Sequence, residues 1–393
     1  MTVDTSEEGT AASPPASRGG AVGERQAVEA AVKAGEAVLA HRFGSAIALV
    51  APEVLAGSGP ATVVRARIAT SPFGLPRTLV IKHYPDPPPE RAPDPFAQEA
   101  VSYQLFTALS AEERMCPELL AHDGTHRVIV LDDLGRAPTL QDKLRGSDAR
   151  AAERSLLSWA RSLGRLHATT AGREADFDAL LRRLGGPGKE QGANPATAYA
   201  QLPALLADSF GVATPEPVRR FTERACERAS SLAYRAFSPA DLSPDNNLVT
   251  SGGVRFLDFE RGRVRNALID AAHLRVPFVS CAEPLALPAG MSEAMVAAWR
   301  AEVSGVWPGL GDNEALDAHL LDHQVLLLCL ETWRALAGRC DKPAALVTWW
   351  RQLGDYADRR RERDVAGHAR AVAEAIDARF GPGLELALYA AFR

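Results

Sequence analysis

The sequence predicts an α+β chain of two lobes, a small antiparallel β-sheet lobe with one key helix and a larger, mostly helical lobe. Three observations carry this. Short β-branched runs split by Gly and Pro turns fill residues 48–84, and two more close the region near 118–134. After "LDDLG" the apolar spacing turns helical and stays so, apart from brief strands at 247–250 and 254–257. The chain has 393 residues and 46% hydrophobic content, enough for a large core. The boundaries expected are a disordered tail over 1–23, a first lobe with a hinge over 24–136, and an α-rich second lobe over 137–393.

The tail, "MTVDTSEEGTAASPPASRGG", is rich in Ser, Thr, Pro and Gly. It has no apolar core, so it is not a secretory signal. Residues 24–43 follow as a helix, with Val28, Ala31, Val32, Val38 and Leu39 on one face. In "TVVRARIA" (62–69), Val64, Ala66 and Ile68 share one face and Arg65 and Arg67 the other, the period of a half-buried strand. "ALVAPEVLA" (48–56) and "TLVIKHY" (78–84) are its neighbours. "PDPPPERAPDP" (85–95) forbids helix and ladder alike and reads as an extended connector. "DPFAQEAVSYQLFTAL" (94–109) is a helix with Asp94 as N-cap and Pro95 in the first turn. In "AAERSLLSWARSLGRLHATTAG" (151–172), Leu156, Ala160, Leu163 and His167 form one stripe. His167 there reads as a packed, hydrogen-bonded core residue. Helices are expected over 174–235, broken at "LGGPGKEQG". They are expected again after 285, with Trp299, Trp307, Trp333, Trp349 and Trp350 as packing anchors.

Bulk properties exclude several classes. Formal net charge is -5, so no domain-wide basic excess exists to neutralise phosphates, and nucleic acid is not an expected partner. "DRRRERD" (358–364) reads as a solvated helix face. No apolar run approaches the ~18 residues of a membrane span. The five cysteines never form a C-x-x-C pair and read as reduced thiols, which points to a cytoplasmic protein.

The residues with chemical potential fall in a particular order. Gly57 and Gly59 in "LAGSGPAT" join two strands; such a hairpin is either a plain turn or a loop that approaches a ligand closely. Lys82 alternates with Val80 in an otherwise apolar strand, so it either snorkels at an edge or points into a cleft. Glu99 lies mid-helix and is either solvated or paired with Lys82. Asp241 and Asn246 stand five apart in "ADLSPDNN", with Pro244 forcing a turn between them. Two polar side chains can then converge from one loop. Asp258, in "FLDFE", leaves the end of the next strand as a hard oxygen ligand. Phosphoryl transfer from a nucleotide needs such parts: a glycine loop, a lysine, metal-binding oxygens and a carboxylate for the acceptor's proton.

"DLSPDNN" together with "LDFE" resembles the catalytic and metal loops of the aminoglycoside phosphotransferase and choline kinase-like family of small-molecule kinases. "VIK", the helix glutamate, "VLDDLG" as hinge, "LGRLHA" and "NALIDAAHL" fall in the same order, over about residues 45–280. The resemblance implies a two-lobed protein-kinase-like fold and transfer of the γ-phosphate of ATP or GTP to a hydroxyl of a small molecule, with Mg²⁺. It implies Asp241 as catalytic base, Asn246 and Asp258 as Mg²⁺ ligands, Lys82 on the α- and β-phosphates and Glu99 orienting it. Residues 131–134, including Leu131, Asp132 and Leu134, would offer hydrogen bonds to the purine, and Asp270 would buttress the catalytic loop. Three features depart from the family. Pro239 stands where a histidine is usual, Asp245 where glycine is common, and Asn247 rivals Asn246 as the metal ligand. Pro239 leaves open a second class of function, a catalytically impaired nucleotide- or ligand-binding protein. The acceptor is expected to be a small hydroxylated molecule, an antibiotic such as an aminoglycoside among the candidates. Glu260 and Glu331 make a cationic or neutral acceptor the expectation over an anionic one, although Glu331 also reads as a helix-surface acid beside Arg334.

Overall fold

The computed structural model describes residues 18–55, 57, 59–70, 74–86, 94–184, 195–338 and 342–393. The expectations for residues 1–17, most of the proline-rich connector and the break at 185–194 lie outside them. The chain separates into two compact units, Met1–Asp86 with Leu120–Asp133, and Pro87–Leu119 with Leu134–Arg393.

The first unit opens with α1 (Arg18–Phe43), which starts before the residue 24 read from periodicity, so residues 18–23 are helical and not part of a tail. The strands are β1 (Ala48–Val54), β2 (Thr62–Thr70) and β3 (Thr78–His83), then β4 (Leu119–Asp123) and β5 (Val128–Asp132). They form one antiparallel sheet of order β1-β2-β3-β5-β4. The period-two reading of β2 holds: Val64, Ala66 and Ile68 are buried and pack with Leu79, Ile81, Val128 and Val130 against Ala31, Ala34, Val38 and Leu39 of α1. Gly35 lets the helix come close. A Cβ there would meet Ile81 Cδ1 at 2.9 Å.

The opposite face of that sheet follows from the register. Val63 pairs with Lys82, Arg65 with Val80, Val80 with Leu131, and Lys82 with Ile129. Because side chains alternate along a strand, Val63, Arg65, Val80, Lys82, Ile129 and Leu131 share the face turned from α1.

The second unit holds α2 (Pro95–Thr107), α3 (Leu140–Arg145), α4 (Ala149–Thr170), α5 (Glu174–Arg183), α6 (Pro195–Phe210) and α7 (Glu216–Ala229). Two short antiparallel pairs follow. β6 (Arg235–Ser238) pairs with β9 (Arg263–Asn266), and β7 (Asn247–Thr250) with β8 (Gly253–Phe256). The helices α8 (Ala267–Ala272), α9 (Met291–Val303), α10 (Asn313–Ala337), α11 (Pro343–Arg359) and α12 (Arg363–Phe380) complete it. Asp94 caps α2 as expected, its carboxylate accepting from the Phe96 N–H at 3.1 Å with Pro95 in the first turn. Such a cap stabilises a helix by about 1 kcal/mol. The β6–β9 pair was not read from the sequence; its four-residue strands are too short to show a period. Of the tryptophans, Trp299, Trp349 and Trp350 are buried, while Trp307 and Trp333 are half-buried.

Candidate active site

The second unit brings Asp241, Asn246 and Asp258 together through one hairpin. Pro244–Asn246 form a single 3-10 turn, closed by Asn246 N–H donating to the Ser243 carbonyl at 3.1 Å. The β7 strand begins at the next residue. Asn247 pairs with Phe256, and the Leu257 N–H donates to the Asn246 carbonyl at 2.9 Å. That bond extends the ladder by one rung, so Asn246 and Asp258 leave the same open end of the hairpin. Asp241 precedes the turn. Its Oδ1 accepts from the Ser243 N–H at 3.0 Å, an Asx turn, and its Oδ2 takes no hydrogen bond among the described residues. Asn247 is fully buried beneath the hairpin, its amide nitrogen donating to the Ser243 carbonyl, whereas Asn246 is half-exposed. Of the two rivals for a ligand role, Asn246 is the accessible one.

Both loops contain a non-glycine residue in the left-handed region, Ala240 at φ 62° and Asp258 at φ 63°. Each is held by a dedicated network. On the Asp258 side the clamp is α2. Glu99 is fully buried, and its Oε1 accepts from the Phe259 N–H at 3.0 Å. Gln98 donates to the Gly262 carbonyl, and the Tyr103 hydroxyl is hydrogen-bonded to the Asp258 backbone. Burial first, and then the Glu99 charge, push the Tyr103 hydroxyl well above its usual value, so it stays protonated. Gly262 permits the approach: a Cβ would meet Ser102 Oγ at 2.5 Å and Phe237 Cζ at 2.7 Å. Phe259 packs among Tyr103, Phe106 and Phe237, with ring centroids 4.9 to 5.6 Å apart. The solvated reading of Glu99 is therefore replaced by a buried one, and its gripping of the segment after Asp258 was not foreseen.

On the Asp241 side the network runs through Ser238, one residue before Pro239. Ser238 Oγ accepts from the Ala240 N–H and from Arg265 Nε, both at 3.0 Å. Arg265 also donates to Asp270 Oδ1 at 2.5 Å. Asp270 Oδ2 lies 3.1 Å from His167 Nε2, and His167 Nδ1 accepts from Trp299 Nε1 at 3.0 Å. The indole nitrogen is only a donor, so Nε2 carries the imidazole proton and donates it to Asp270. Burial alone would raise the Asp270 carboxyl. The Arg265 charge and the bonds from His167 and Ser238 outweigh it and hold the carboxyl well below the usual carboxylate range. A proline at 239 cannot donate to the loop. The serine before it and the β6–β9 arginine fasten the loop instead.

The remaining sequence candidates divide between the units. Glu260 is half-buried, with Arg261 Nε at 3.8 Å. Glu331 is buried on α10 and not on a helix surface. Its carboxylate meets Arg334 at 2.5 Å and Lys342 at 3.7 Å, so it adds no uncompensated negative charge. Leu134 is half-buried at the start of the segment leading to α3. Lys82, Gly57, Gly59, Leu131 and Asp132 belong to the sheet unit. Lys82 is buried on β3, a central strand, which removes the edge reading. Gly57 and Gly59 are exposed in the β1–β2 turn. Leu131 and Asp132 end β5, and Arg65 holds the next residue, Asp133, through two bonds of 2.9 and 3.0 Å.

Among the described residues no group of three or more His, Cys, Asp or Glu side chains could enclose a metal. One amide oxygen and one carboxylate at a hairpin end are nevertheless a fitting donor set for Mg²⁺. That ion is commonly held by one or two carboxylates with waters and substrate phosphates completing its shell.

The chain is similar to solved small-molecule kinases. It shares 13% identity with a choline kinase from Cryptosporidium parvum Iowa II, over 84% of this chain and 90% of that one, with a TM-score of 0.47. A choline/ethanolamine kinase family protein from Mesorhizobium loti matches at 17% identity, 84% and 93% coverage and a TM-score of 0.44. An aminoglycoside phosphotransferase from Alicyclobacillus acidocaldarius matches at 12%, 84% and 93%, and 0.42. No protein-family model matches the chain, and no curated protein matches it in sequence. No helix among the described residues is long and apolar enough to cross a membrane.

Proposed function

We propose that the protein is a phosphotransferase that moves the γ-phosphate of ATP or GTP to a hydroxyl of a small molecule. The observation that supports this best is the placing of Asn246 and Asp258 at one hairpin end, with Asp241 in the turn before it. Asp241 acts as the base. Its Oδ2 receives the acceptor's hydroxyl proton, while the Ser243 N–H fixes the other oxygen. Asn246 and Asp258 would hold Mg²⁺. When bound, that ion neutralises charge on the transferring phosphate. Lys82 is assigned to the α- and β-phosphates and Glu99 to its orientation, with Gly57 and Gly59 covering the phosphates and residues 131–134 meeting the purine. Those roles rest on the family resemblance.

The impaired-binder alternative gains no support from Pro239, because Ser238 and Arg265 fasten the loop in the histidine's place. The decisive experiment is a nucleotide-turnover assay against a panel of hydroxylated antibiotics and metabolites, with mass spectrometry for a gained phosphate. Nucleotide binding without transfer to any acceptor would favour the alternative.

A further inference from the structure

A polar opening of about 240 Å³ lies between the start of α9, α10 and the C-terminal half of α11. It shares no lining residue with the Asp241–Asp258 site. An engineered cavity of about 150 Å³ admits benzene, so this one is large enough for a small metabolite. Two buried polar groups on its wall lack partners among the described residues. Gln324 heads the run "QVLLLCL" on α10; it is 2% exposed, and its Oε1 has no hydrogen bond. Arg275 has 10% side-chain exposure. Its Nη1 donates to Glu293 at 2.9 Å and its Nη2 to Asp317 at 3.4 Å, but its Nε is buried and unpartnered. Glutamine and arginine are seldom buried, and buried polar groups are nearly always hydrogen-bonded, so two exceptions at one opening call for an explanation.

Two further features supply donors. α9 begins on Gly290, in the left-handed region at φ 82°, and has no side-chain cap. The N–H groups of its first turn, those of Ser292 and Glu293 included, lie at the edge of the opening with the positive end of the helix dipole. Arg359 is exposed on α11 and makes no ion pair among the described residues. Its guanidinium lies over the Tyr356 ring, 5.6 Å from the centroid, and that of Arg275 lies over the same ring at 4.6 Å. Acceptors are present as well. Glu293 and Asp355 line the opening, both exposed, and Asp355 is 3.9 Å from Arg370. The lining charges are thus two cations and two anions. A plain anion would be opposed by Glu293 and Asp355, and a plain cation by Arg275 and Arg359. A ligand with one charge of each sign complements both pairs.

We propose that this opening binds a small zwitterion, an α-amino acid. The ligand's carboxylate accepts from Arg275 Nε and from the first-turn N–H groups of α9. Its ammonium donates to Gln324 Oε1 and is balanced by Glu293 and Asp355. Each orphaned atom then has the partner it lacks, the donor an acceptor and the acceptor a donor. The inference does not rest on the phosphotransferase reading.

The test is ligand-observed NMR and calorimetry on the full chain, without nucleotide, with the common L-amino acids as probes. Acetate, ethanolamine and inorganic phosphate each carry one sign of charge and serve as controls. At least one amino acid should bind one equivalent with a Kd of about 1 mM or below, and each control should bind at least tenfold more weakly. Gln324→Leu keeps the bulk and removes the amide, and Arg359→Ala removes an exposed cation. Neither side chain has a hydrogen bond or ion pair to lose among the described residues, so Tm should hold in both while amino-acid affinity falls at least fivefold in each. Arg275 is left in place because Glu293 and Asp317 depend on it. No binding by any amino acid at about 10 mM, or binding that both variants leave unchanged, would overturn the site. Acetate or phosphate bound as tightly as the best amino acid would overturn the zwitterion and leave a plain anion site.

Discussion

Replacing Asp270 with asparagine should loosen the Asp241 loop from beneath. The carboxylate is fully buried and accepts from Arg265, His167 and Ser238. The amide keeps one acceptor, enough for His167, but it removes the charge that balances Arg265. Breaking one side of a buried ion pair costs about 3 to 5 kcal/mol. Arg265 retains 20% side-chain exposure, so water recovers part of that, and the low end, about 3 kcal/mol, is the expected loss. At about 2.1 cal/mol/K per residue over a unit of roughly 300 residues, this corresponds to a fall in Tm of about 5 °C.

The pH dependence has a definite sign. The folded carboxyl titrates below the unfolded value near 3.8, so its contribution is present above that pH and is lost as pH falls through the folded value. The Tm gap between wild type and Asp270→Asn should therefore be constant from about pH 8 to pH 5 and narrow only below about pH 4. Turnover should also fall, on the order of 10²-fold, since Arg265 would no longer hold Ser238 and the Ala240 backbone in register with Asp241. Thermal melts across pH, with kcat at pH 7.5, measure both effects. A Tm within 1 °C of wild type at pH 7 and unchanged kcat would refute the bracing role.

Three further outcomes are expected. Asp241→Asn should lower turnover by roughly 10²- to 10⁴-fold with little change in nucleotide affinity; near-normal turnover would remove Asp241 from the base's role. Activity should vanish on chelation and return with Mg²⁺, and Asp258→Ala should not recover at any Mg²⁺ concentration, so wild-type turnover in excess chelator would dismiss the metal assignment. Burial brings His273 and His368 from 6.5 down to about 4. The unfolded chain then binds more protons between those values, and Tm should drop as pH is lowered through that window, less steeply in His368→Phe; a flat profile from pH 7 to 5 would contradict their neutral burial.

Much of this was legible in the sequence because local chemistry decided it. Asp94-Pro95 marks a helix start whatever surrounds it, and the alternation in β2 fixes which face meets α1. The Asp241–Asn246 spacing survives because Pro244 sets the turn within the motif itself. What could not be read depends on distant partners. Glu99 reads either as a solvated helix glutamate or as a partner of Lys82, since nothing near it in sequence reveals that Phe259, 160 residues on, supplies its donor. A useful signal was present in Gly262, whose missing Cβ admits α2, but a lone glycine after a strand has many explanations. Glu331 misled for the same reason. Arg334 is visible at i+3, but Lys342 approaches from the residue just before α11.

Seven non-glycine residues among the described ones have positive φ, and the two of them that sit in these loops, Ala240 and Asp258, are the two that the buried networks hold. Ala240 has no side chain to favour positive φ, and Asp258 is only mildly tolerant of it. Each such residue costs on the order of 1 to 2 kcal/mol. Neither is at a turn that glycine could not fill. The strain persists because the surroundings over-determine it: Ser238, Arg265, Asp270, His167 and Trp299 behind one loop, Gln98, Glu99 and Tyr103 behind the other. A scaffold meant only for stability would place glycine at both points and leave the carboxyl of Asp270 and the glutamate of α2 in water. Here two sets of buried polar groups, one from α2 and one from α4, β6, β9, α8 and α9, hold the loops of Asp241 and Asp258 before and after one short hairpin. Fixing two carboxylates at such cost is reasonable when their positions determine a rate, which is what the proposed base, Asp241, and the proposed metal ligand, Asp258, would require.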